Sequence, residues 1–140
     1  MKGSYLLLME LSKDRKISVG KLGEIEFKKG IYVYVGSALN GIENRLNRHL
    51  RKNKKLHWHI DYLLKNAEII DILYNENDSK QECFIAKQLN DKLSIISGFG
   101  CSDCRCKSHL FYGSYKQIKD IIAKLDMKPY LKNAKYKSMF

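Results

Sequence analysis

Apolar and polar positions change period several times along the chain, and each change marks an element. Residues 3–11 (GSYLLLMEL) read as a strand. Tyr5, Leu7, Met9 and Leu11 alternate onto one side and Leu6 and Leu8 onto the other, so both faces are expected to be covered. Ser12-Lys13-Asp14-Arg15 reads as a turn into a short strand at Lys16–Val19, and Gly20 and Gly23 bracket a bend before an extended piece at Ile25 and Phe27. Lys29-Gly30 opens the strongest strand, Ile31–Val35, with Ile31, Val33 and Val35 facing one way and Tyr32 and Tyr34 the other. From Gly41 the period becomes helical, with Ile42, Leu46 and Leu50 as an i, i+4, i+8 stripe. A second helix is expected over His57–Lys65, a strand over 68–74, and a third helix from Ser79 to about Leu89. A Gly- and Cys-rich loop over 97–109 follows, then a helix over Tyr115–Leu125 with Ile118, Ile121, Ile122 and Leu125 buried. This order predicts one α+β domain over residues 1–126, a small mixed or antiparallel sheet flanked by helices, with a basic tail over 127–140.

Composition narrows the class. The chain has 140 residues, 44% hydrophobic and 29% charged, which fits one globular domain and excludes intrinsic disorder. No apolar run approaches the roughly 18–20 residues of a membrane helix, and the first residues lead straight into a strand-like segment rather than a signal peptide. A soluble, cytoplasmic protein without a membrane partner is expected.

Charge adds more. Lys and Arg number 26 against 15 Asp and Glu, a formal net charge of +11. Such an excess is either a solubilising surface or the footprint of a polyanionic partner, and clustering favours the second. Arg45, Arg48, Arg51, Lys52, Lys54 and Lys55 fall between Asn44 and His57 with no acid among them, and the tail carries Lys128, Lys132, Lys135 and Lys137, again without one. These are fields that phosphate backbones seek, and Arg48, Arg51, Lys52, Lys54 and Lys55 are the candidate nucleic-acid contacts.

Three features occur together: Gly3-Ser4-Tyr5 heading one strand, Tyr34-Val35-Gly36-Ser37-Ala38 ending another, and Asn44-Arg45-Leu46-Asn47-Arg48-His49-Leu50 on a basic helix. This set resembles the GIY-YIG nuclease superfamily, whose small sheet flanked by helices cuts DNA phosphodiesters. With His57-Trp58-His59-Ile60-Asp61-Tyr62 and Gly98-Phe99-Gly100-Cys101-Ser102-Asp103-Cys104, the wider pattern is similar to the uncharacterised DUF123 group. That group occurs in archaea and bacteria, alone or joined to a DNA-repair glycosylase. The letters Gly30-Ile31-Tyr32 lie in the same strand as Tyr34, and two motifs meant for neighbouring strands cannot share one, so Gly3-Ser4-Tyr5 is the structural equivalent. Tyr5 and Tyr34 are separated by 28 residues, more than a short hairpin, so an enlarged hairpin with an added strand or two is expected.

The resemblance implies a divalent-metal-dependent endonuclease acting on DNA in repair or processing, with a repair glycosylase as a candidate partner, and the sequence leaves DNA versus RNA open. Arg45 suits the transferring phosphoryl group, because a guanidinium is always charged and grips two phosphate oxygens at once. His49 lies one turn beyond Arg45 on the same helix flank. Tyr5 and Tyr34 are implied as base or proton carriers, although a free phenol, with a pKa of about 10, needs Arg and a metal nearby to ionise. Tyr32 is a weaker candidate. Glu82 is implied as the single ligand of Mg²⁺ or Mn²⁺, an ion that keeps most of its water; Glu76 and Asp78 are fallbacks. Against this, Ser79-Lys80-Gln81-Glu82 is also a capping box. The family has a histidine beyond its catalytic helix, and His57 is preferred over His59, since His57 and Asp61 (i, i+4) can pair; that pair is equally a brace against Trp58.

Cys101, Cys104, Cys106 and His109 form C-x2-C-x-C-x2-H, four zinc-type ligands within nine residues. Either they bind zinc or they belong to a packed loop of thiols, and Cys83 reads as a small buried hydrophobe. Two rival functions stand beside the nuclease: a nucleic-acid-binding module on the same scaffold that does not cut, and a zinc-stabilised interaction domain.

Overall fold

Strand β1 (Gly3–Leu11) carries apolar side chains on both sides, and such a strand is stable only inside a sheet. It runs antiparallel between β4 (Gly30–Ala38) and β5 (Glu68–Glu76). Leu6, Leu7, Leu8 and Met9 are fully buried, each contributing about 1.5–3 kcal/mol of transfer free energy. The computed structural model describes residues 2–38, 41–51, 53–77, 81–101 and 106–130. The six-stranded sheet has the order β6 (Ser94–Ile95), β7 (Leu110–Gly113), β4, β1, β5, β8 (Lys128–Pro129), and every pairing is antiparallel. The insertion between the two motif strands forms a separate two-stranded sheet of β2 (Arg15–Ser18) and β3 (Glu24–Phe27), joined through a 3-10 turn at Gly20–Leu22.

Helices cover both faces, which completes the expected α+β architecture. On one face α1 (Ile42–Leu50) and α2 (His59–Leu64) bring Ile42, Leu46, Ile60 and Leu63 into a core with Tyr5, Leu7, Met9 and Leu11. On the other, α3 (Glu82–Asn90) and α4 (Tyr115–Ala123) bring Ile85, Ala86, Leu89, Ile118, Ile121 and Ile122 against Leu6, Leu8, Val33 and Val35. Among the described residues, no helix is long and apolar enough to cross a membrane.

Several boundaries differ from the sequence reading. The α2 helix, expected over His57–Lys65, runs from His59 to Leu64. The α3 helix is described from Glu82, with Gln81 at its N-cap, and Ser79, the other member of the expected capping box, lies outside the described residues. A capping box stands at α4, where Ser114 Oγ accepts from the Gln117 N–H and Gln117 Oε1 accepts from the Ser114 N–H. The sheet also extends past residue 126, because β8 pairs with β5 and the Tyr130 N–H donates to the Ile72 carbonyl.

Candidate active site

Strand register brings the two tyrosines together. In the β1–β4 pair Tyr5 lies opposite Gly36 and Leu7 opposite Tyr34, so both phenols point to the α1–α2 face, with ring centroids 6.5 Å apart. Gly36 permits this arrangement: a Cβ there would collide with the Tyr5 ring, so glycine alone lets that ring lie across β4. Tyr32 shares the face, but its hydroxyl donates to the Lys28 carbonyl at 2.6 Å, away from the pair.

The α1 helix completes the cluster. Its stripe of Ile42 and Leu46 docks on the sheet and turns Arg45 and His49 toward the phenols. His49 Nε2 lies 2.7 Å from Tyr5 Oη, and its ring centroid is 6.3 Å from that of Tyr34. Burial, reinforced by the Lys54 charge, pushes His49 down to about 3, so the imidazole is neutral at pH 7. Its Nδ1 is buried with no hydrogen-bond partner. An orphaned acceptor is tolerated better than an orphaned N–H, which assigns the proton to Nε2, donating to Tyr5 Oη. The Arg45 charge acts on Tyr5 as well, opposing the effect of burial. With the His49 N–H on the phenolic oxygen, the phenol's own proton is the outgoing one. Burial raises both Tyr5 and Tyr34 above the ordinary phenol range; the Glu82 charge raises them further and Arg45 opposes it.

The Arg45 guanidinium is held from two sides. It donates to the Ser37 carbonyl at 3.1 Å and lies 4.3 Å from the centroid of the Trp58 ring. Arg48 flanks the same indole at 4.2 Å. Its two terminal nitrogens grip the buried carboxylate of Asp61 at 2.8 and 2.9 Å. Burial alone would raise Asp61; the Arg48 fork and the N–H groups of Trp58 and His57 outweigh it and hold the acid at about 2. The Asp61 partner on the His57 side is thus the backbone N–H at 2.9 Å rather than the imidazole. His57 is exposed, its ring against Trp58 at 5.4 Å, and it does not join the phenols. His59 instead accepts from the Gly100 N–H at 2.8 Å, anchoring the loop beneath Phe99. Trp58 as the shared platform and Asp61 as the partner of Arg48 were hidden in the sequence, since they lie in a different element from the arginines they hold.

Glu82 is buried at the start of α3 and acts electrostatically on both phenols, as does Asp61. Asp61 is held by the Arg48 fork; Glu82 is the other carboxylate of this set, and its oxygens are of the kind a hard divalent ion takes. Its Oε2 is 3.8 Å from His109 Nδ1. On the other side of that ring, Cys83 Sγ lies 3.9 Å from His109 Nε2, and Cys83, Cys106 and His109 place their ligand atoms within 4.8 Å of one another, a group able to hold a metal ion. Of the expected Cys101, Cys104, Cys106 and His109 set, Cys106 and His109 belong to this group, and among the described residues Cys83 joins them in place of Cys101. It comes from α3, because the helix start packs against the segment leading into β7. Cys101 is outside the group, near the Phe99 carbonyl, and Cys104 lies outside the described residues.

Arg51 and Lys55 are exposed beside α1, while Lys54 donates to the Arg48 and His49 carbonyls at 3.1 and 2.8 Å and caps the helix end. A hollow of about 500 Å³ bordered by His49, Arg51, Lys54 and Asp61 opens there. Lys52, Asp78, Ser79 and the tail residues Lys132, Lys135 and Lys137 lie outside the described residues.

The family model for DUF123, a domain of unknown function, matches residues 4–128. No curated protein and no solved structure matches the chain.

Proposed function

We propose that this chain, which belongs to the DUF123 family, is a GIY-YIG-type, divalent-metal-dependent DNA endonuclease. The observation that carries this reading is the His49 hydrogen bond to the Tyr5 hydroxyl, with Tyr34 beside it and the Arg45 and Glu82 charges within electrostatic reach. Phosphodiester hydrolysis needs a group that moves a proton at the attacking or leaving oxygen, and fixed positive charge opposite the phosphoryl oxygens. Tyr5 moves the proton, and neutral His49 holds its oxygen in place through the Nε2–H. Arg45, fixed by Ser37 and Trp58, supplies charge at no reorganisation cost. Glu82 is the residue that would hold Mg²⁺ or Mn²⁺; such an ion supplies further positive charge to the phosphoryl oxygens and lowers the pKa of neighbouring phenols. The exposed cations Arg51 and Lys55 hold the backbone with little sequence preference, suiting a role in repair or processing.

The test is incubation of supercoiled, branched and single-stranded DNA with Mg²⁺ or Mn²⁺. Nicking by the wild type that drops about 10²–10³-fold in Arg45→Ala and Glu82→Ala supports the enzyme. DNA binding with the same background cleavage in all three proteins would instead establish a binding module and overturn the proposal.

A further inference from the structure

The sulfur-rich corner where α3 begins is separate from the tyrosine cluster, and its chemistry differs. Cys83 and Cys106 are half-buried and His109 is buried, and their ligand atoms lie within 4.8 Å of one another. Magnesium and manganese prefer oxygen, whereas two thiolates and an imidazole select a borderline-soft ion such as Zn²⁺. The spacing agrees. Zinc–sulfur and zinc–nitrogen bonds of about 2.3 and 2.0–2.1 Å in a tetrahedron put neighbouring ligand atoms about 3.6–3.8 Å apart. The separation of Cys83 Sγ from His109 Nε2 is 3.9 Å, within reach of a weak sulfur hydrogen bond in the absence of an ion and about 0.3 Å wider than a tetrahedral sulfur–nitrogen edge, which a small movement of either side chain closes.

The second nitrogen of His109 adds an independent sign. Histidines that bind metal turn their other ring nitrogen toward a carboxylate, which fixes the tautomer and makes the ligand more basic. Here Nδ1 faces Glu82 Oε2 at 3.8 Å, while Nε2 faces the sulfur. The order carboxylate, imidazole, thiolate therefore runs through one ring.

We propose that Cys83 Sγ, Cys106 Sγ and His109 Nε2 form a zinc site, with Glu82 as the outer partner of His109. The site ties the first turn of α3 to the segment entering β7, two pieces of chain 26 residues apart at Cys83 and His109. Three protein ligands are gathered among the described residues, and a tetrahedral ion takes a fourth donor beside them. The inference stands apart from the nuclease reading: it concerns a different ion, held by sulfur and nitrogen, and holds whether or not the chain cuts DNA. If both are right, Glu82 serves the two centres at once, one oxygen toward His109.

The full chain, purified without chelator from zinc-supplemented medium, is expected to carry about one zinc per chain by atomic emission. Cys83→Ser, Cys106→Ser and His109→Ala each abolish retention, and Cys101→Ser leaves it unchanged. Glu82→Gln keeps the stoichiometry at saturating zinc but weakens affinity about 10–100-fold. Because a ligand variant can fail to fold, cobalt is titrated into the metal-free wild type as well. Strong visible bands of tetrahedral cobalt with thiolate charge transfer support the site. Zinc far below one per chain, a cobalt spectrum without sulfur bands, zinc fully retained by Cys83→Ser, or a Cys83–Cys106 disulfide in the purified protein each overturns it.

Discussion

On the α1–α2 face, polar groups close on one another at hydrogen-bond distance: Tyr5 on His49 at 2.7 Å, Arg48 on Asp61 at 2.8 and 2.9 Å, Arg45 on Ser37 at 3.1 Å. At the start of α3 the contacts are longer: His109 stands 3.8 Å from the Glu82 carboxylate and 3.9 Å from the Cys83 sulfur, and Cys83, Cys106 and His109 form a group able to hold a metal ion. The first region is a network of direct contacts between protein groups; the second is one that a bound ion would tighten. Gly100 lies between them: its φ of +75° favours glycine, and a Cβ there would press on His109 Cβ at 3.1 Å and Tyr34 Cε1 at 3.3 Å.

If that contrast holds, the largest stability loss comes from the closed network. Asp61→Ala leaves Arg48 half-buried without its carboxylate and is expected to cost about 3–5 kcal/mol in chemical denaturation, with or without metal. A loss below about 1 kcal/mol would show that the ion pair does not hold α1 to α2. The second region behaves oppositely, its stability following the ion: zinc at 100 times its dissociation constant is expected to add about 2.7 kcal/mol, removed by chelator. An unchanged thermal midpoint on chelation would erase the distinction.

A pH series sharpens the contrast further. His49 titrates at about 3 in the folded protein and at about 6.5 when unfolded, so between these values the unfolded chain binds the extra proton. Stability is then complete above about pH 6.5 and falls as pH drops toward 3, by about 1.4 kcal/mol per unit. In His49→Gln the His49 share of that slope should disappear from denaturation curves between pH 6 and 4.5, leaving the share of His59, which burial also lowers; an equal slope in both proteins would mean that His49 is accessible to protons in the fold. Asp61, held at about 2, adds a separate loss only below about pH 4. The smallest effect belongs to the surface: Arg51→Gln and Lys55→Gln should change stability by less than about 0.5 kcal/mol while each reduces the salt dependence of DNA binding by about one ion. An unchanged salt slope would remove both from the phosphate contacts.

Much of the first region could be read from the chain, because its parts lie in long periodic elements. Alternation in residues 3–11 and 31–35 puts Tyr5 and Tyr34 on defined faces, and the Ile42-Leu46 stripe orients Arg45 and His49. The enlarged hairpin followed from counting residues. What was hidden is non-local. β7 has only four residues, next to a loop rich in Gly and Cys, so no period announces it. Ser79 and Glu82 have capping-box spacing, yet the helix starts at Glu82. Arg48 sits in a run of cations and looks like a phosphate contact; only the fold brings Asp61, thirteen residues away, under its fork. Cys83 lacked a metal-ligand spacing to its partners, and local spacing pointed to Cys101 instead.

The phenol at position 5 bears the most weight. Tyr5→Phe keeps the ring that packs against Gly36 and removes only the oxygen that His49 engages and the Arg45 charge acts on. Measured as nicking of supercoiled DNA with Mn²⁺, on protein verified as folded by its thermal transition, this substitution is expected to lower the rate about 10²–10⁴-fold. Nicking at the wild-type rate would show that the chemistry, if any, takes place elsewhere on the molecule.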